Sequence, residues 1–292
     1  VEGVAPGSNT LSWSYSGQPY CVDIIRATVY QVDLEASKSQ LILKHDRDCN
    51  LEVKTTPATG ITAEEYRIDI KRTNSTTWYV LSTNKMMTPW HANIAGGFHV
   101  RGMAKIGESE CYSTNIVIVN EFPTYTQIEG DADVRTATDI EWNNTLTDCT
   151  QSPNQRCERG FWIQINTISN LYQHTAVFTG PWVGPAQQAS ARPGNTPADI
   201  PVDPAPNATG AVYTVACFHT HTPTTFWATN SPGRRVGPSG PLRGDVPFHN
   251  SRQRAGIVYD YTGDARGYIP AGHPEGSAAQ RYPVGPVQRP LP

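Results

Sequence analysis

Short segments that alternate apolar and polar residues fill the first half of the chain. In "EYRIDIKR" (65–72), Tyr66, Ile68 and Ile70 share one face, because successive side chains of a strand point to opposite sides. "TTWYVLST", "GGFHVRGMAKI" and "TNIVIVNEF" repeat this strand pattern and are separated by turn-rich breaks such as "TNS" and "GES". Several strands at this spacing predict an antiparallel sandwich of the immunoglobulin or fibronectin type.

Lysine and proline are distributed unevenly along the 292 residues. All six lysines lie before residue 106, whereas nineteen of the 24 prolines lie after residue 128. Such a shift in composition is typical of a boundary between domains. We therefore expect a multidomain chain, with an all-β immunoglobulin-like sandwich over residues 1–127 and a second domain over residues 128–292.

The overall charge and hydropathy restrict the classes of partner. A formal net charge of -3 argues against nucleic acid, which is bound by strongly basic surfaces. We find no stretch near the roughly 18–20 consecutive apolar residues that would span a bilayer. These features exclude a nucleic-acid partner and a membrane span, and we expect the first domain to serve as a spacer or as a module for surface binding or self-assembly.

The cysteines favour an oxidising environment. Cys149 and Cys157 bracket the short polar loop "CTQSPNQRC", which one disulfide would close. Because disulfides persist outside the cytosol, we expect a protein that is secreted or displayed at the cell surface. In the first half, Cys111 could bridge Cys21 or Cys49, and the sequence leaves both pairings open.

The second half is predicted to combine helices with strands. "GDADVRTATDIEWNNTL" begins with acidic residues, which stabilise a helix N-terminus. The apolar face expected for this helix comprises Val134, Ala137, Ile140 and Trp142. "ERGFWIQINTISNLYQHTAVFTG" and "AVYTVACF" predict three strands, and a further helix from Asp245 precedes a strand over residues 256–261. Residues 183–210, rich in proline, are predicted to form a surface loop.

Two histidines follow the apolar strand "AVYTVACF" with one residue between them. His219 and His221 project to the same side of a strand, so their imidazoles can converge on one metal ion. A catalytic zinc takes three protein ligands and leaves one position for water. Asp245 is a candidate third ligand, and Glu158 stands at the head of an apolar strand, an unusual place for a carboxylate without a task.

Five polar residues of the second half follow one another in a recognisable order: Glu158, His219, His221, Ser239 and Asp245. A strand-initial Glu, the run "HTHTP", and then "GPSG" ahead of a predicted helix resemble the JAMM (JAB/MPN-type) zinc metallopeptidases, particularly their bacterial, toxin-associated members. The resemblance covers roughly residues 129–265 and excludes the first half. It implies an α/β (α+β) domain that holds Zn²⁺ and hydrolyses a peptide or isopeptide bond of a protein or peptide substrate with metal-activated water.

The resemblance also implies a role for each residue. His219, His221 and Asp245 would be the zinc ligands. Glu158 would accept a proton from the attacking water and pass it to the leaving amine, while Ser239 would support the developing oxyanion. This chain departs from the family pattern because five residues separate Ser239 from Asp245 where two are usual. Ser231 and Asp260 are the alternatives for these two positions.

Other interpretations remain for the same residues. Glu158 could be a surface carboxylate beside Arg156 and Arg159, and Cys217 faces the histidines' side as a buried apolar residue rather than a ligand. The domain could retain the fold for binding or surface assembly without catalysis. It could also be a toxin-like effector delivered by the sandwich.

Overall fold

The computed structural model describes residues 7–11, 25–29, 31–43, 47–56, 63–151, 156–182, 211–222, 234–239, 244–252, 254–263, 267–269 and 278–285. The chain divides into two compact units, Val1–Glu121 (unit 1) and Phe122–Pro292 (unit 2). In the described residues β-strands predominate and helices are few. None of the helices in this part of the chain has the length and apolar character needed to span a membrane.

Unit 1 is a set of β-strands. They are β1 Gly7–Leu11, β2 Ile25–Val29, β3 Gln31–Ala36, β4 Gln40–Ile42, β5 Asp48–Thr56, β6 Glu65–Arg72, β7 Tyr79–Thr83, β8 Met87–His91, β9 Gly96–Ile106 and β10 Ser109–Asn120. One sheet has the order β4-β10-β9-β6-β7 and another the order β3-β5-β8, while β1 and β2 form a separate antiparallel pair. The four strand segments expected from alternation correspond to β6, β7, β9 and β10.

The two larger sheets of unit 1 share a single apolar core. Side chains from both sheets are buried in it, including Leu34, Leu51, Val53, Ile68, Ile70, Val100, Val117 and Val119. Ile68 and Ile70 lie on the core face of β6 as their alternation predicts, and Tyr66 packs partly against the same core. The structure therefore confirms a β-rich, sandwich-type fold for this part of the chain.

Unit 2 combines a mixed sheet with helices. Its elements are α1 Tyr125–Gly130, α2 Ala132–Gln151, β11 Arg159–Asn166, β12 Leu171–His174, β13 Phe178–Thr179, β14 Val212–Thr220, β15 Arg234–Arg235, α3 Asp245–Arg252, β16 Ala255–Tyr261, β17 Tyr268–Ile269 and β18 Ala279–Val284. The main sheet has the order β12-β11-β14-β16-β18, with β13 also paired to β11. β14 and β16 are parallel, and the other pairs in this sheet are antiparallel.

Helices contact both faces of this sheet. On one face, Thr145 of α2 shares a hydrogen bond of 2.8 Å with Thr220 of β14. On the other face, Phe248 of α3 packs with Cys217 and Trp162. Cys217 and Thr220 are three residues apart on β14, so their side chains point to opposite faces of the sheet.

The predicted elements of unit 2 agree with the structure in most places. α3 begins at Asp245, and β16 covers the strand expected over residues 256–261. The apolar face predicted for α2 is wrong at Ile140, which is 52% exposed, whereas Val134, Ala137 and Trp142 are buried. The predicted surface loop over residues 183–210 lies outside the described residues.

The disulfide expected between Cys149 and Cys157 is absent from the described part of the chain, where both are buried thiols. Cys157 Sγ instead donates to Asp148 Oδ2 at 3.5 Å. Arg159 joins the end of α2 to the start of β11, because its guanidinium contacts Asp148 at 2.7 Å and Glu141 at 3.2 Å. Ion pairs therefore hold together the ends of the segment that a disulfide was expected to close.

The cysteines of unit 1 are also thiols where the structure describes them. Cys49 is buried in β5 and Cys111 is partly exposed in β10, and neither forms a disulfide with a described cysteine. Cys21, the alternative partner of Cys111, lies outside the described residues.

We predict that Cys157 resists alkylation in the folded protein. Burial and the nearby carboxylate of Asp148 raise the pKa of its thiol to about 12, so the reactive thiolate is scarce at pH 8. Mass spectrometry after iodoacetamide treatment should show slow modification of Cys157 and faster modification of the partly exposed Cys111. In urea without reductant, Cys149 and Cys157 should both react. A pair that reacts only after reduction would contradict the structure and restore the disulfide.

Candidate metal centre

Three adjacent central strands, β11, β14 and β16, bring polar residues into one row at one end of the unit 2 sheet. β11 pairs with β14 so that Gly160 lies opposite His219, and β14 pairs with β16 so that Thr220 lies beside Tyr259. Continuing these registers by one or two residues places Glu158, His221 and Asp260 in a row across the three strands. His221 N–H donates to the Tyr259 carbonyl at 2.9 Å, which extends the parallel pairing to this row.

The two histidines and the first residue of α3 form a buried cluster. His219 Nε2 lies 3.2 Å from Asp245 Oδ1, and His221 Nε2 lies 3.4 Å from Asp245 Oδ2. The ligand atoms of the three residues all lie within 4.8 Å of one another. His219 and Asp245 are buried and His221 is partly buried. The structure therefore brings together the three predicted ligands in an arrangement that could hold a metal ion.

The chemistry of this cluster fits a metal ion. Neither ring nitrogen of His219 forms a well-aligned hydrogen bond among the described residues, although the side chain is buried and Nε2 lies 3.2 Å from Asp245 Oδ1. Buried polar atoms are normally paired, so an imidazole nitrogen that lacks such a bond beside a carboxylate suits a metal ligand. A tetrahedral ion with bonds of about 2.0–2.1 Å separates its ligand atoms by roughly 3.3–3.4 Å, close to the two histidine–carboxylate distances.

Asp245 is ionised in this setting. Burial favours the neutral acid, but the two adjacent imidazoles outweigh it and hold the pKa of Asp245 well below its usual range. The carboxylate is therefore available as an anionic ligand without first losing a proton.

Ser239 lies against Asp245 despite the longer interval between them. Its backbone N–H and its hydroxyl donate to Asp245 Oδ2 at 2.7 and 2.9 Å, and its Oγ accepts from the Asp245 N–H at 3.0 Å. Gly244 permits this approach, because a Cβ there would lie 2.0 Å from Ser239 Oγ and its φ is +117°. Ser239 thus contacts Asp245 even though five residues, rather than the two usual in the family pattern, separate them.

Glu158 is positioned by the antiparallel pairing of β11. Its carbonyl accepts from Gly180 N–H at 2.8 Å, which ties β13 to this end of the strand. Glu158 is 8% exposed, so the interpretation as an ordinary surface carboxylate does not hold. The register of β11 with β14 places Glu158 in the same row as His221.

Asp260 and Cys217 were both considered from the sequence as possible members of the site, and the structure places them differently. Asp260 lies outside the ligand cluster, but its Oδ2 is 3.0 Å from the other ring nitrogen of His221, Nδ1. The parallel pairing of two strands distant in sequence was the signal needed to find this contact. Cys217 packs with Trp162 and Phe248 as the buried residue expected. Ser231, the alternative to Ser239, lies outside the described residues.

Comparisons with known proteins do not assign this chain to a family. A scan against protein-family models and a search of curated proteins both found no match. The function is therefore argued from the donor atoms, burial and strand register of the site itself.

We predict that Gly244→Ala separates Ser239 from Asp245. The new Cβ would overlap the Ser239 hydroxyl, and alanine is strained at a positive φ. The free energy of unfolding should therefore fall by about 1–3 kcal/mol. The affinity for divalent metal should fall as well. Urea denaturation and chelator competition measure the two effects.

Gly130→Ala is the matched control, because a Cβ at Gly130 meets nothing within 4 Å. It should leave stability and metal affinity close to those of the unmodified protein. If both variants behave alike, the contact between Ser239 and Asp245 does not depend on Gly244.

Proposed function

We propose that unit 2 is a JAMM-like zinc-dependent hydrolase that cleaves a peptide or isopeptide bond. The observation that carries this proposal is the buried cluster of His219, His221 and Asp245. Two imidazole nitrogens and one carboxylate are a common protein ligand set for catalytic zinc. On this proposal unit 1 is an immunoglobulin-like module of the same secreted or surface protein.

The remaining polar residues supply the other functions that hydrolysis requires. Zn²⁺ bound by this cluster would polarise the scissile carbonyl and lower the pKa of its water to about 7. Glu158 would take the proton of the attacking water and return it to the departing amine nitrogen. Ser239 holds Asp245 through two hydrogen bonds, so it orients that carboxylate in addition to the oxyanion role implied by the resemblance.

We expect the purified protein to bind about one zinc ion per chain and His219→Ala to abolish this stoichiometric binding. Removing one of three ligands deprives the ion of a nitrogen donor at the centre of the site. Metal content after equilibration with zinc and gel filtration, measured by plasma mass spectrometry, tests this. The proposal fails if the unmodified protein retains no zinc and His219→Ala changes neither metal content nor activity.

We expect Glu158→Gln to keep the zinc but lose hydrolysis. A placed general base contributes about 10²–10⁴-fold in rate, and glutamine cannot take up the proton. Turnover of a fluorogenic peptide library and of matched lysine isopeptides gives the readout. Glu129→Gln is the control. Glu129 lies on α1 and its carboxylate binds Arg135 of α2 at 2.9 Å, so this variant should retain activity. Equal loss in both variants would contradict the role of Glu158.

A second candidate function is a secreted surface, assembly or binding protein that keeps the metal site without catalysis. The hydrogen bonding of Ser239 favours it, because both its N–H and its hydroxyl are directed to Asp245 rather than held ready for a substrate oxyanion. On this alternative the unmodified protein binds zinc with the same ligands. It hydrolyses none of the peptides or isopeptides, and the Glu158→Gln variant is indistinguishable from it.

A further inference from the structure

A fully buried carboxylate lies behind one of the proposed zinc ligands. Asp260 of β16 is 0% exposed, and its Oδ2 lies 3.0 Å from His221 Nδ1. This is the ring nitrogen opposite the one that faces Asp245. Asp260 therefore contacts the histidine from the side opposite the one that would face a metal ion in the cluster.

Two backbone N–H groups fix the carboxylate of Asp260. Gly237 N–H donates to Oδ2 at 2.8 Å, and Tyr261 N–H donates to Oδ1 at 2.7 Å. Because both oxygens already accept from N–H donors, the carboxylate is held as an acceptor. With a metal ion bound, His221 would donate to Asp260 through Nδ1 and offer the lone pair of Nε2 to the ion.

We propose that Asp260 is a positioning residue that holds His221 in the metal-binding tautomer and orientation. This inference rests on the proposed zinc function, and it assigns Asp260 a task distinct from the ligand role considered for it from the sequence. A carboxylate that receives the second N–H of a ligating histidine fixes the ring and raises its basicity. Such outer partners strengthen metal binding without touching the ion.

The two proposed histidine ligands differ in how much support their surroundings provide. The His219 side chain is 1% exposed, so close packing restricts its ring. The His221 side chain is 12% exposed and follows the last residue of β14. His221 has the less enclosed ring, and it is His221 whose Nδ1 contacts the carboxylate of Asp260. On this inference Asp260 restrains the His221 ring where packing does so for His219.

One short segment connects Asp260 to the carboxylate on the opposite side of His221. Gly237 N–H binds Asp260, and two residues later Ser239 binds Asp245 through its N–H and hydroxyl. Gly237 has φ +73°, and a Cβ there would lie 3.0 Å from the Tyr282 ring. The backbone over residues 237–239 thus fixes both carboxylates that contact His221. The orientation of the His221 ring therefore depends on this segment as well as on β14 and β16.

The test compares zinc affinity in Asp260→Asn and Asp260→Ala with that of the unmodified protein. Asparagine keeps the size of the side chain but loses the charge, and it presents an amide donor toward one of the three N–H groups. Loss of an outer partner typically costs about 10–100-fold in metal affinity. We expect a fall of this size in Asp260→Asn and at least as large in Asp260→Ala, measured by competition with a chromophoric chelator.

Tyr282→Phe is the matched control. It removes a hydroxyl that donates to the Tyr261 carbonyl at 2.9 Å, next to Asp260 on β16, without removing the contact to His221. Its zinc affinity should stay within about twofold of the unmodified protein. Near-ultraviolet circular dichroism of the zinc-free proteins reports whether each variant is folded.

A second measurement uses the unmodified protein and therefore does not depend on a folded variant. In the zinc-loaded protein, nitrogen-15 NMR should show His221 with a slowly exchanging Nδ1–H and with zinc on Nε2. The Nδ1–H signal should be lost by fast exchange in Asp260→Ala. A His221 that carries zinc on Nδ1, or has no protected Nδ1–H, overturns the inference.

The outcomes separate this inference from the function on which it rests. If the unmodified protein does not bind zinc, the proposed function and the role of Asp260 both fail. If it binds zinc and hydrolyses its substrates, but Asp260→Asn has unchanged affinity, only the role of Asp260 fails. If Tyr282→Phe weakens zinc as much as Asp260→Asn, the effect is general loosening of β16 and the inference is overturned.

Discussion

The parallel pairing of β14 with β16 is the constraint on which the candidate site depends. It joins segments far apart in sequence and brings Asp260 to the side of His221. The antiparallel pairing of β14 with β11 brings Glu158 to the other side of the same row. A slip of one residue in either pairing would turn these side chains to the opposite face of the sheet. The register of these pairings therefore determines which side chains meet at the site.

Burial of charge is compatible with stability here because each carboxylate has partners. Asp245 contacts two imidazoles and receives hydrogen bonds from Ser239, while Asp260 accepts two backbone N–H groups and contacts His221. An isolated buried carboxylate would be strongly destabilising, so each of these partners offsets part of the cost of burying the charge. A metal cation held by His219, His221 and Asp245 would complete this network.

The sequence predicted the elements and the clustering of His219, His221 and Asp245 better than the contacts around them. Alternation identified the core face of β6, and spacing placed His219 and His221 on one side at the end of β14, because both depend on local periodicity. The contact of Ser239 with Asp245 required a positive φ at Gly244, and the role of Asp260 required a long-range strand pairing; neither has a local signature. The disulfide prediction was wrong because loop composition does not reveal that Arg159 forms ion pairs there.

Zinc-edge X-ray absorption of the protein loaded with one equivalent of zinc tests the central claim most directly. Coordination by His219, His221 and Asp245 predicts nitrogen and oxygen neighbours at about 2.0–2.1 Å, with the outer-shell scattering of two imidazoles. Two imidazoles without sulfur would support the site as described. A sulfur neighbour at about 2.3 Å would move the metal to a cysteine, and a protein that retains no zinc would refute the metal centre.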